Sequence, residues 1–199
     1  NTFISQLMGR MTLEEKIGQL NLLPGGDIVT GKEMDSPLAR LTAEGKLGAV
    51  LSLRDPVKIK ALQDIAVKKS RLGIPLLFGY DVIHGFQTVL PIPLAQACSW
   101  DTTAIRRGAA MAARECTSQG IDWVYSPMVD IALDPRWGRI AESSGEDPFL
   151  GSAIAKVMVE GLQGNYGPEN AMACLKHYAL YGAVEAGRDY NTVDMSHVR

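Results

Sequence analysis

Three short stretches carry the side chains capable of chemistry. Gly79-Tyr80-Asp81-Val82-Ile83-His84-Gly85 sets a carboxylate at the tip of an apolar run. Asp134-Pro135-Arg136-Trp137-Gly138-Arg139 sets two guanidinium groups either side of an indole, and Lys176-His177-Tyr178 closes another apolar run with an ammonium and an imidazole. A carboxylate accepts hydrogen bonds and the cations donate them, so Asp81 could accept from the hydroxyls of a neutral polar ligand. Each group also has a plainer use. Asp81 can cap the backbone N–H groups of its own loop. Arg136 and Arg139 can pair with carboxylates close by in sequence, Glu142, Glu146 and Asp147 among them. Lys176 can serve as a buried ion-pair partner, since an unpaired ammonium at that place would be costly. His84 reads best as a loop histidine bonded to nearby groups. Trp137 fits either a ring stacked on a ligand or an anchor for its loop.

Other chemistries find no support. The three histidines, at 84, 177 and 197, lack metal-ligand spacing, and no G-x-S-x-G elbow is present. Neither G-x-G-x-x-G nor G-x-x-x-x-G-K-[ST] occurs, so no dinucleotide or nucleoside triphosphate cofactor is implied. Three cysteines, Cys98, Cys116 and Cys174, are widely spaced without a C-x-x-C pair and read as buried free thiols.

The elements that must position these groups follow from the apolar periodicity. Thr12-Leu13-Glu14-Glu15 has the form of a capping box, and Leu13, Ile17 and Leu20 recur on one face, which predicts a helix to about Leu22. Residues 25–37 read as loop and 37–45 as a short helix. From there strand and helix alternate. Apolar runs at 47–53, 75–80, 122–126 and 171–176 predict four strands buried on both faces. Helices start at Asp55-Pro56 and Asp101, and a third carries the stripe Leu150, Ile154, Val157, Met158 and Leu162. Such βαβ succession implies right-handed crossovers and a parallel sheet, either an open doubly wound one or about half of an eight-stranded barrel. Connections of about 20 and 22 residues after the second and third strands far exceed the usual 2–6. Both leave the carboxyl ends of strands, where parallel α/β proteins place ligands. Asp81 and His84 open the first connection, Asp130, Arg136 and Arg139 sit in the second, and Lys176-His177 ends the fourth strand, so these polar candidates converge on one rim.

The 199 residues carry 20 Lys+Arg against 22 Asp+Glu, a net charge of −2, which suits an uncharged ligand and excludes a nucleic-acid binder built on clustered cations. No apolar run approaches the length of a membrane span, the stretch 89–94 being short and broken by prolines.

Together these residues resemble glycoside hydrolase family 3, of the periplasmic β-glucosidase type. The resemblance rests on Met11 to Leu20, Gly79 to Gly85, Phe86 to Leu94, Asp134 to Arg139, Glu142 to Pro148, Lys176-His177-Tyr178 and Tyr190 to Asp194, in that order. It implies a (β/α)₈ TIM-type catalytic barrel followed by an α/β sandwich. It also implies retaining hydrolysis of terminal β-D-glucosyl residues from small oligosaccharides or β-glucosides, and a periplasmic or secreted location. By the same resemblance Asp81, Arg139, Lys176 and His177 bind hydroxyls of the sugar beside the cleaved bond. Residues 1–199 would be the N-terminal portion of the barrel domain, lacking both nucleophile and acid/base, so that no catalytic residue is assigned and the isolated chain is expected to be inactive. The loop Lys176 to Gly182 departs from the Lys-His-Phe-Pro-Gly-His-Gly form of the N-acetylglucosaminidase branch. The alternative is a non-catalytic sugar-binding or scaffold module ending near residue 199, and a third reading is a small-molecule binder on an open α/β sheet.

Overall fold

A computed structural model describes residues 2–25 and 36–196; most of the expected 25–37 loop, and His197, lie outside them. The chain divides into two compact units, one of residues 1–80 with 119–122, the other of residues 81–118 with 123–199.

In the first unit, α1 (Thr2–Arg10) and α2 (Leu13–Gly18) precede β1 (Leu22–Pro24), α3 (Pro37–Ala43), β2 (Ala49–Leu51), α4 (Pro56–Lys69) and β3 (Leu77–Tyr80). The three strands pair in parallel, Leu23 against Val50 and Val50 against Phe78. Val50 and Phe78 are buried, and Ile59, Leu62, Ile65 and Ala66 of α4 complete the core. The capping box at Thr12 forms, with Thr12 Oγ1 accepting from the Glu15 amide and Glu15 Oε2 from that of Thr12. The helix it starts is shorter than expected and turned the other way. Leu13, Ile17 and Leu20 are exposed, whereas Glu15 and Gly18 are buried. Two local facts set that orientation. Arg71 grips both Glu15 oxygens, at 2.9 and 2.5 Å, and a Cβ on Gly18 would stand 2.3 Å from the Gly45 carbonyl oxygen. The helix lies backbone-close on its glycine side, so its apolar stripe faces out. The end of the predicted helix is instead β1. Its three residues continue the apolar pattern of α2, which is why four strands are expected from sequence where five form among the described residues.

The second unit holds α5 (Pro93–Cys98), α6 (Thr102–Thr117), β4 (Trp123–Val124), α7 (Pro148–Gln163) and β5 (Met172–Ala173). β4 and β5 pair in parallel, Val124 against Ala173, and a parallel bridge joins Met128 to Lys176 beyond them. α6 starts as the sequence implies, Asp101 accepting from a backbone amide of its first turn, and α7 is capped in the same way by Asp147. The expected apolar face of α6 is buried at Ile105, Ala109, Ala112, Ala113 and Cys116. Small side chains there let the helices meet closely, Gly161 of α7 lying against the backbone at Arg106. The thiols are not uniformly buried: Cys116 is, Cys98 is exposed, and Cys174 lies between, because Cys98 ends the short α5. Among the described residues no helix is long and apolar enough to cross a membrane.

Candidate functional site

All four expected site residues lie in the second unit, on the long connections that follow strands. Lys176 leaves β5 and, three-quarters or more buried, donates from Nζ to Asp81 Oδ1 at 2.6 Å. That contact spans 95 residues of sequence and joins the first residue of one connection to the end of another strand. The next residue belongs to a second pair. Asp130, almost fully buried, accepts from the backbone N–H of His177 at 3.0 Å and from its Nδ1 at 2.8 Å, both on Oδ2. A carboxylate facing Nδ1 assigns the proton to that nitrogen and leaves Nε2 as the ring atom able to meet a ligand. The Lys176–His177 peptide bond is cis.

Arg139 lies in a 3₁₀ turn, Gly138–Glu142, that interrupts the connection between β4 and α7. Its Nε and Nη2 donate to the two oxygens of Glu142 at 2.8 and 2.9 Å. This fork holds the Glu142 carboxyl below its ordinary value of 4.5 against the opposing cost of burial, and Lys176 and His177 lower it further by their charge. Glu142 therefore stands within electrostatic reach of both neighbouring pairs. With those N–H groups committed, the Nη1 hydrogens and the second Nη2 hydrogen remain for other partners. Nη1 has Tyr181 Oη at 3.5 Å, and the guanidinium carbon lies 5.4 Å from the centroid of the Tyr181 ring.

The other candidates are resolved by their partners. Arg136 folds back on Asp134, two residues away, from a side chain 69% exposed, and pins that carboxyl at about 2. It is a surface clamp of its own loop. Trp137 is completely buried with Met128, Ala132 and Val184, and its Nε1 donates to Asp189 at 3.0 Å. The indole anchors the loop and offers no face for stacking. His84 Nδ1 meets the Leu90 carbonyl at 3.0 Å, a loop histidine satisfied by its own turn. No group of three or more metal-ligating side chains is found among the described residues.

The site is thus a cluster of Asp81–Lys176, Arg139–Glu142 and His177–Asp130, each cation or imidazole beside its own carboxylate. The types and spacing of the four expected residues were legible in sequence. Asp130 as the partner of His177 and Tyr181 as the neighbour of Arg139 were not, since neither pairing is local. The sequence signals were Asp130's place in the second long connection, among the rim candidates, and a Tyr five residues beyond Lys176.

Residues 12–199 match the Glycosyl hydrolase family 3 N terminal domain. The chain belongs to that family. It is 40% identical to a periplasmic β-glucosidase of Salmonella typhimurium over all of its own length and 26% of that protein. A β-xylosidase of Formosa agariphila is 32% identical, across 84% of this chain and 24% of its own. The crystal structure of a β-glucosidase from Listeria innocua in complex with isofagomine superposes with a TM-score of 0.89 at 45% identity, covering 99% of this chain and 28% of that one. The chain spans about a quarter of the length of these relatives. The family and these structures give the fold class expected from the sequence, α/β with parallel strands as in the front part of a (β/α)₈ TIM-type domain, and the open-sheet binder falls away.

Proposed function

We propose that the full-length protein carrying this chain is a retaining β-glucosidase, acting on terminal non-reducing β-D-glucosyl residues of small oligosaccharides in a periplasmic or secreted setting. In this reading residues 1–199 are the front of its catalytic barrel. Asp81, Arg139, Lys176 and His177 bind the hydroxyls of the terminal sugar, and the nucleophile and acid/base carboxylates are supplied from outside this chain. The observation that carries the reading is the convergence of the three ion pairs in one cluster at strand ends. Asp81 accepts from sugar hydroxyls, Lys176 and Arg139 donate to their oxygens, and the Nε2 atom of His177 accepts from a hydroxyl. Because every cation already faces a carboxylate, the ligand need bring no charge. Bonds of this kind accelerate hydrolysis to the extent that they tighten as the ring flattens toward an oxocarbenium ion. The relatives' names support the sugar: the Salmonella and Listeria proteins are β-glucosidases, and a mutant of the latter was solved with laminaribiose.

The test is hydrolysis of a 4-nitrophenyl β-D-glucoside by the full-length protein, followed by NMR of the anomer first released. The reading expects β-glucose first, slower turnover of the β-xyloside, and a loss of about 10²-fold in kcat/KM for Asp81→Ala. Release of α-glucose first, or turnover by residues 1–199 alone, overturns it.

A further inference from the structure

One side chain in the second unit touches more of the cluster than any group assigned to the sugar. Tyr181 opens a short 3₁₀ turn, Tyr181–Ala183, five residues after Lys176. Its ring lies 4.7 Å from that of His177, edge to face at 82°, and under the Arg139 guanidinium at 5.4 Å. A third side is closed by Trp137 at 5.2 Å, again edge to face. The hydroxyl donates to Asp189 Oδ1 at 2.5 Å, the same oxygen that accepts from Trp137 Nε1. Those two hydrogen bonds hold the Asp189 carboxyl below its usual range. The turn itself packs backbone-close on Ile131, where a Cβ on Gly182 would stand 2.1 Å from the carbonyl oxygen.

Arg139 and His177 come from two different long connections, and nothing local fixes one relative to the other. Among the described residues, Tyr181 sets its ring against both, whereas Glu142 binds Arg139 and reaches His177 only through its charge. We propose that Tyr181 is a positioning residue of the sugar site, its ring setting Arg139 and His177 at one mutual geometry and Asp189 setting the ring through its hydroxyl. The inference rests on the sugar-binding reading of Arg139 and His177 and adds to it the device that aligns them. Misplacement of a binding group by about 1 Å can cost on the order of 10²-fold in rate. Loss of the hydroxyl alone, with the ring retained, should cost less.

The test is a double-mutant cycle in the full-length protein, reading kcat/KM on the aryl β-glucoside. Tyr181→Phe is expected to lose about tenfold, chiefly in kcat, and Tyr181→Leu about 10²-fold. In an Arg139→Ala background Tyr181→Phe should cost under twofold, because the alignment it serves is gone. Should Tyr181→Phe not fold, Asp189→Asn runs the same cycle and must show the same non-additivity. A merely structural role gives equal losses in both backgrounds, and that additive result overturns the inference, as does a loss under twofold for both Tyr181 variants. If Arg139→Ala itself loses under threefold, the sugar-site reading fails and this inference with it; if Arg139→Ala is crippled and the cycle is additive, this inference fails alone.

Discussion

The closest approach of two helices in the second unit turns on a residue with no side chain, and the same substitution at two places on α7 should act with opposite sign. A Cβ on Gly161 would stand 2.4 Å from the Arg106 carbonyl oxygen, 2.8 Å from Ala109 Cβ and 3.2 Å from the Ala110 amide nitrogen. All three atoms belong to α6, and two of them are backbone, which no rotamer change can move. Ordinary contact needs about 3.5 Å, so α7 must back away by roughly 1 Å at that point. Overpacking of this kind costs about 1–3 kcal/mol, against a gain of up to about 1 kcal/mol for Ala over Gly in a helix. The balance for Gly161→Ala is a loss of about 1–2 kcal/mol. Gly151, in the first turn of the same helix, would gain a Cβ 3.9 Å from Ile131 Cδ1, an ordinary contact. There the helix-propensity gain stands alone. Peptide-resolved hydrogen exchange on the full-length protein reads the difference directly, since core amides open with a free energy that the substitution shifts. Gly161→Ala should speed exchange across α7 about 5–30-fold, at about 1.4 kcal/mol per tenfold, and Gly151→Ala should slow it or leave it unchanged. Equal shifts from both variants, or slower exchange in Gly161→Ala, would refute the close-packing argument.

Two further outcomes test the cluster. Arg139→Ala in the full-length protein should lower kcat/KM by about 10²-fold or more, a charge-assisted bond of about 3 kcal/mol being lost, while Arg136→Ala, clamped only to Asp134 at the surface, should lose under threefold. Glu142 has its folded pKa lowered, first by the Arg139 hydrogen bond, so it contributes stability above its ordinary value of 4.5 that is lost as pH falls through the folded value. Exchange protection of residues 138–142 should therefore drop on acidification below pH 4.5, and Glu142→Gln should remove that acid step while weakening the segment at neutral pH.

What the sequence made legible was local chemistry. Asp55 and Asp101 announce helix starts through their capping oxygens, and each is observed to cap. The apolar face of α6 is periodic over four turns and packs as that period implies. Where the sequence misled, a distant contact outweighed the local pattern. The α2 stripe Leu13, Ile17 and Leu20 has helical spacing, yet the Arg71–Glu15 pair across 56 residues and the close approach at Gly18 bury the opposite face. β1 escaped notice because three apolar residues ending in Pro24 differ little from a fraying helix end, and only pairing with β2 makes them a strand.

The same distinction sharpens what the site can hold. Counted along the chain, one carboxylate and three cationic or imidazole groups would suit a phosphate or a carboxylate ligand as well as a polyol. The structure supplies the missing half of that count. Glu142 occupies two donors of Arg139, Asp130 takes both N–H groups of His177, and one of the three N–H groups of Lys176 goes to Asp81. An anion arriving there could use the remaining N–H groups but would face the repulsion of three carboxylates within the same cluster. A hydroxyl can donate to a carboxylate oxygen and accept from the remaining N–H groups at once, so it adds bonds without breaking pairs. The pairing, which no spacing rule exposes, is therefore what turns a generic polar rim into one matched to a neutral, hydroxyl-rich ring.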